Sequence, residues 1–299
     1  MRRASGVWTL LALAMSLSRI ASGSLAADGA YRMDVAAWRA EHEASYRRQY
    51  VVLAGLFFLK PGPNTAGSAA DRDIVLPAST PASIGRFVLD GRRVTFEPAG
   101  SANVRLGTRP VTTALVLTSD AEGDADELSV GTVALWVHES GDRLTMRLRD
   151  PDGEAARSFG GFRWFPIDER YRVTGHFVRD PAPHEVRTPN QSGDEEVMTT
   201  EGVVDFTLNG ETVRLRPVTT RPKRFWFIFR DGTSGKETYE TARFLYADLQ
   251  DDGSVVLDFN RAYNPPCAFN PYTTCPLPLP ENRLKVRILA GEQAYRTRP

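Results

Sequence analysis

The sequence predicts an all-β protein led by one helix, and three observations predict it. From Val51 onward, short apolar runs and apolar–polar alternation dominate. Turn pairs such as Asp90-Gly91, Ser140-Gly141-Asp142 and Asn209-Gly210 punctuate those runs. Ahead of that point Val35, Trp38, His42 and Ser45/Tyr46 recur at helical spacing. With 41% hydrophobic and 25% charged residues, the 299-residue chain has a globular composition, which argues against a disordered or fibrous protein. Lys+Arg and Asp+Glu are equal at 37 each, so no basic excess points to nucleic acid.

The first element is read as a signal peptide over residues 1–26. Arg2 and Arg3 precede the apolar run Val7–Leu17, and small residues surround a cut near Ala26. A single membrane anchor is the alternative, but the run is shorter than the ~20 apolar residues a spanning helix needs. The expected product is exported, periplasmic or extracellular, with no membrane span once the leader is removed. A helix over residues 27–50 follows, capped by Asp34, with His42 on its surface.

Residues 51–150 form the next unit. Val51–Leu59 suits a buried strand. Hairpins are expected over Asp90-Gly91, between Phe87–Leu89 and Val94–Phe96, and over Ser140–Asp142, between Val133–His138 and Arg143–Leu148. Asp150-Pro151-Asp152-Gly153 breaks the chain, and residues 158–292 form a second antiparallel β domain. Its expected strands are Tyr171–Val178, the two arms around Asn209-Gly210, Phe225–Phe229, Arg243–Leu249, Val255–Phe259 and Leu284–Leu289, with a polar loop from Asp180 to Asp194. Six prolines between 265 and 280 exclude a central strand there and predict a rigid irregular loop. That loop carries the two cysteines, Cys267 and Cys275. Export permits them to bridge, closing a short loop worth roughly 2–3 kcal/mol by chain entropy. A metal pair or a redox dithiol are the alternatives, and no histidine lies nearby to complete a zinc set.

Two resemblances bear on these units. Gly67-Ser68, then Asp73-Ile74-Val75-Leu76, Ser83-Ile84-Gly85-Arg86 and the Asp90-Gly91 hairpin resemble a forkhead-associated β-sandwich over about residues 51–138. That resemblance implies phosphopeptide recognition. Ser68 stands where the family places its phosphate-reading arginine and Arg86 where it has histidine, so the site is degenerate. In the second half, Gly161–Pro166, Phe229–Gly235, Glu237-Thr238-Tyr239, Asp258–Phe269, Thr274–Pro278, Glu281–Leu284 and Ala290-Gly291-Glu292 resemble the domain of unknown function 1684 family, with matches from about Leu53 to Glu292. The resemblance implies no established activity.

The candidate site combines both lines of reasoning. If Arg243–Leu249 and Val255–Phe259 pair around Gln250–Gly253, then Arg243, Leu245, Asp258 and Asn260 share a face, and Phe244, Tyr246, Leu257 and Phe259 share the core face. Arg243 would then reach Asp258 diagonally. The family motifs add Asp231, Thr233, Tyr239, Arg261, Tyr263 and Asn264. These residues predict a surface that binds a small molecule or a protein partner, with no cofactor and no metal. The alternatives are a structural role for the same polar groups and a hydrolase-type enzyme using Asp231, Asp258 or His176. No Gly-x-Ser-x-Gly elbow, phosphate loop or His-Glu-x-x-His cluster is present.

Overall fold

The computed structural model describes residues 28–100 and 102–296, so the expected signal peptide lies outside the described residues. Residues 28–46 are helical (α1), and a π-helical turn, Arg47–Val51, follows. Of the described residues, those up to Glu43 belong to one unit and those from Ala44 onward to a second. Among the described residues, no helix is long and apolar enough to cross a membrane.

After the π-helical turn, the described residues of the second unit are mainly β, with one short helix and several 3-10 turns. Its first part contains β1 (Leu53–Phe58), β2 (Gly62–Gly67), β3 (Ile74–Val75), β4 (Gly85–Asp90), β5 (Arg93–Pro98), β6 (Arg105–Leu106), β7 (Arg109–Pro110), β8 (Leu115–Leu117), β9 (Leu128–Val130), β10 (Val133–Ser140) and β11 (Arg143–Arg149). One sheet runs β1-β11-β10-β9-β6-β7 and the other β3-β2-β4-β5-β8. Alternate residues of both enter one apolar cluster, Phe87, Phe96 and Ile74 from one sheet, Leu135, Met146 and Leu148 from the other. Both expected hairpins form, with Asp90 paired to Arg93 and Ser140 to Arg143 across two-residue loops.

After a short helix α2 (Glu154–Ser158) come β12 (Arg172–Pro189), β13 (Glu195–Leu208), β14 (Glu211–Leu215), β15 (Val218–Arg221), β16 (Arg224–Phe229), β17 (Arg243–Asp248) and β18 (Ser254–Asp258). They make a β14-β13-β12-β18 sheet and a β15-β16-β17 sheet. Phe206, Val204 and Leu257 of the first meet Phe225, Phe227 and Leu245 of the second in a separate core. Asn209 and Gly210 both take positive φ, 52° and 82°, as the tight turn between β13 and β14 requires.

Three expectations for this half are corrected. The polar stretch 180–194 is mostly strand: β12 and β13 form a long hairpin, and Pro181 and Pro183 are accommodated where the ladder breaks between Arg179 and His184. Leu284–Leu289 is not a strand. Val286, Ile288 and Ala290 are buried at alternate positions, but carbonyls on this segment accept from Gly232 N–H and from the Arg243 side chain instead of a neighbouring strand. Most consequentially, β17 and β18 do not pair as a hairpin. β17 pairs with β16, β18 with β12, and only the bridge between Leu249 and Val255 links them. The Gln250–Gly253 turn therefore carries the chain from one sheet to the other. The aromatic face of β16 fits this choice, because it sets Phe227 opposite Leu245 and Phe225 opposite Ala247, all four buried in the core.

Candidate functional site

The β16 pairing inverts the expected faces of β17. Arg243, Leu245 and Ala247 point to the core, Tyr246 is exposed, and Phe244 packs on the other side of the sheet against Trp226 and Tyr263. Arg243 thus enters the apolar layer opposite Phe229, its guanidinium 5.5 Å from that ring. A fully buried charge needs a partner and hydrogen bonds. Arg243 Nη1 donates to Asp231 Oδ2 at 2.5 Å and to the Ile288 carbonyl at 3.1 Å, and Nη2 donates to the Ala290 carbonyl. Asp231 Oδ1 accepts from the Thr233 N–H at 2.6 Å and its hydroxyl at 2.5 Å. The Thr233 hydroxyl lies 2.9 Å from that of Thr238. Both charged side chains of the pair have zero exposure. The expected diagonal contact between Arg243 and Asp258 is absent, since those residues lie in different sheets.

Asp258, Asn260 and Asn264 belong to a neighbouring network. Asp258 Oδ1 accepts from the Asn260 backbone N–H at 3.1 Å, and its Oδ2 is 3.3 Å from Arg261 Nε. Asn260 exchanges bonds with the Asp168 backbone at 2.9 and 2.8 Å, and Asn264 donates to Glu292 Oε1 at 2.9 Å. Gly291 lets the 290–293 segment close over these groups. Its φ is +79°, and a Cβ there would meet the Ala262 carbonyl at 2.3 Å. Tyr263 is buried, with its phenol pushed well above the usual value by that burial.

Tyr239, like Arg261, is a half-buried member of the expected set. Gln191 Nε2 donates to its hydroxyl at 2.7 Å, and Gln191 N–H donates to the Cys275 carbonyl at 3.2 Å. Cys267 and Cys275 are free thiols whose side chains hydrogen-bond one another. That bond and burial push the Cys267 thiol up. For Cys275 burial acts upward, but the hydrogen bonds from Cys267 leave it below the ordinary thiol value. The Pro-rich loop is also held from below, where the buried Asn270 Nδ2 donates to the Tyr50 and Leu53 carbonyls at 2.8 Å each. His176, the base of the enzyme alternative, is exposed on β12 opposite Ser254 and Asp205, and neither Asp231 nor Asp258 is among its cross-strand partners. In the first half, Ser68 donates to the Thr80 carbonyl and Arg86 is paired with Glu97 at 2.5 Å.

Beside this buried frame lies a surface groove of about 260 Å³, lined by Arg230, Glu240, Thr241, Leu277, Pro278 and Arg283. Arg230 N–H donates to the Asn282 carbonyl, and Leu284 N–H donates to the Arg230 carbonyl, which makes a parallel bridge of Arg230 and Arg283. Bridged residues project to one side of the ladder. Phe229, Asp231 and Asn282 point inward, so both arginines point outward together. Neither guanidinium has an ion-pair partner among the described residues, and the buried Asn282 pins their backbone by donating to the Arg216 and Ile228 carbonyls at 2.8 and 3.0 Å. The sequence reading missed this pair. Its signal was the alternation around Phe229-Arg230-Asp231, where inward neighbours on both sides force Arg230 outward.

The comparisons with known proteins agree with the motif reading for part of the chain. Residues 157–293 match the family model described as protein of unknown function (DUF1684). Residues 51–156 lie outside that match, so the family likeness read from Leu53 onward is supported for the second half. An uncharacterised protein from Haloarcula marismortui, with a solution NMR structure, is 29% identical. The alignment covers 48% of this chain and 82% of that one, with a TM-score of 0.40. The comparison with curated proteins gives no match.

Proposed function

We propose that this protein is an exported binder of a small anionic ligand, a phosphate or carboxylate compound, held by Arg230 and Arg283. The observation that carries the reading is the bridge that aims two guanidiniums, without carboxylate partners, into one groove. Two like charges held side by side repel, and an anion spanning both relieves that repulsion with charge-assisted hydrogen bonds. The Thr241 hydroxyl supplies a further polar contact, and Glu240 on the rim selects against ligands carrying excess negative charge. Asp231, Thr233 and Arg243 serve in this reading as the sealed frame that positions Arg230, and Tyr239 with Gln191 as its flank. Export rests on the charged, apolar and small-residue pattern of residues 1–26. In an oxidising compartment the adjoining Cys267 and Cys275 thiols are expected to bridge and stiffen the Pro-rich loop, which alkylation and mass measurement of the non-reduced protein would decide.

Calorimetric titration with inorganic phosphate and with succinate tests the binding reading. Binding that weakens about tenfold in Arg283→Ala, and falls steeply with added salt, is the expected result. Absence of binding by both anions, or equal affinity in the variant, overturns it.

A further inference from the structure

A second cavity, remote in chemistry from the arginine groove, has a volume of about 390 Å³, within the range of small-molecule sites. Its lining is aromatic and acidic. Phe159, Phe269 and Tyr295 pack as a cluster, with ring centroids 5.6 to 5.7 Å apart, and Tyr272, itself 36% exposed, also lines the cavity. The ionisable lining groups apart from the tyrosines are both carboxylates, Asp150 and Glu154, and no lysine, arginine or histidine lines the cavity.

Asp150 distinguishes this cavity from a chance aromatic dent. The residue is only 8% exposed. Its Oδ1 accepts from the Asp152 N–H at 3.0 Å, but Oδ2 has no hydrogen-bond partner among the described residues. Oδ2 lies on the side of Gly153, another lining residue, where a Cβ would approach it to 3.3 Å. That oxygen is an open acceptor at the cavity wall, and a cation placed in the cavity gains a charge-assisted hydrogen bond to it. Glu154, exposed on α2, adds a second negative charge. The walls are preformed. Asp150 N–H donates to the Val52 carbonyl at 2.8 Å, and Asn270, whose Nδ2 is anchored on Tyr50 and Leu53, accepts from Tyr272 N–H at 2.8 Å. The aromatic cluster already holds a cation elsewhere, since the Arg47 guanidinium sits 4.5 Å above the Phe159 ring without lining the cavity.

We propose that this cavity binds an organic ammonium ion, with the charged nitrogen donating to Asp150 Oδ2 beside Glu154 and the carbon skeleton against Phe269, Tyr272 and Tyr295. Carboxylate pairing and ring faces both favour a cation with an apolar body over a bare metal ion or an anion.

Calorimetry on the full chain with phenethylamine, and with the neutral phenethyl alcohol as its counterpart, tests this. The amine is expected to bind at least about tenfold more tightly than the alcohol, because only the amine neutralises the buried carboxylate. Glu154→Gln, at an exposed position, should weaken the amine several-fold and leave the alcohol unchanged. Asp150→Asn should abolish the preference for the amine. Should Asp150→Asn fail to fold, Glu154→Gln alone decides. Arg283→Ala should leave amine binding untouched, which separates this site from the anion groove. No amine binding at millimolar concentration, equal affinity for amine and alcohol, or unchanged amine affinity in Glu154→Gln would each overturn the proposal.

Discussion

Arg243 and Arg230 belong to the same β16–β17 region, and they differ in every property that decides what an arginine does. Arg243 is fully buried, and its two Nη groups bond Asp231 and the carbonyls of Ile288 and Ala290. Arg230 shares a groove with Arg283 and forms no ion pair among the described residues. Asp231 is the immediate neighbour of Arg230 in sequence, yet strand alternation turns one inward and the other outward. Motif membership therefore marks where the frame lies, while the pleat decides which side chains can meet a ligand.

The largest expected effect breaks the sealed side of this comparison. Asp231→Ala strands a desolvated guanidinium and should destabilise the protein by about 3–5 kcal/mol, read as a lower denaturant midpoint. Replacing both members by apolar residues of similar volume, Asp231→Leu with Arg243→Met, should recover much of that loss. A double variant no more stable than Asp231→Ala would show that the frame needs the carbonyl contacts of Arg243 as well as its charge.

A smaller effect is expected where the β12–β13 hairpin tip meets the first half. Asp194 accepts from the Ser140 hydroxyl at 2.7 Å and from Arg143 Nε at 2.6 Å. The Arg143 hydrogen bond holds the Asp194 carboxyl below the usual carboxylate range. A lowered folded-state value stabilises above the unfolded value and is lost as pH falls through the folded one. The tip contact should therefore be intact at neutral pH and weaken in acid. Asp194→Asn should cost about 1 kcal/mol at neutral pH, because Arg143 is 44% exposed, and the difference from wild type should shrink toward low pH. Melts across the acidic range that run parallel for the two proteins would contradict this.

The smallest stability effect belongs to the open side. Arg283→Ala should leave the melting temperature of the unliganded protein essentially unchanged while removing the rise produced by phosphate or succinate. A substantial loss of intrinsic stability would move Arg283 from the ligand groove into the frame and remove the contrast with Arg243.

Much of the β architecture was legible because turn chemistry is local. Asp90-Gly91, Ser140–Asp142 and Asn209-Gly210 each specify a hairpin from a few residues, and each hairpin is present. The motif-rich segments bring some expected neighbours together, Asp231 with Thr233 and Arg243, and Asp258 with Asn260 and Arg261, but Arg243 and Asp258 lie in different sheets. Strand partners were a different matter. The turn at Gln250–Gly253 permits a hairpin between its flanking strands, and the sequence contains nothing local that forbids it. The phenylalanines of β16, nearly twenty residues upstream, take β17 for the other sheet, because apolar burial depends on which faces meet and not on which strands adjoin in sequence. That choice put Arg243 in the core and left Arg230 and Arg283 together at the surface. The sequence by itself determined the hairpin turns, many of the strands beside them and the identity of the polar residues. The tertiary structure alone decided their partners, since pairing between distant strands is settled by the total surface buried across the whole sheet.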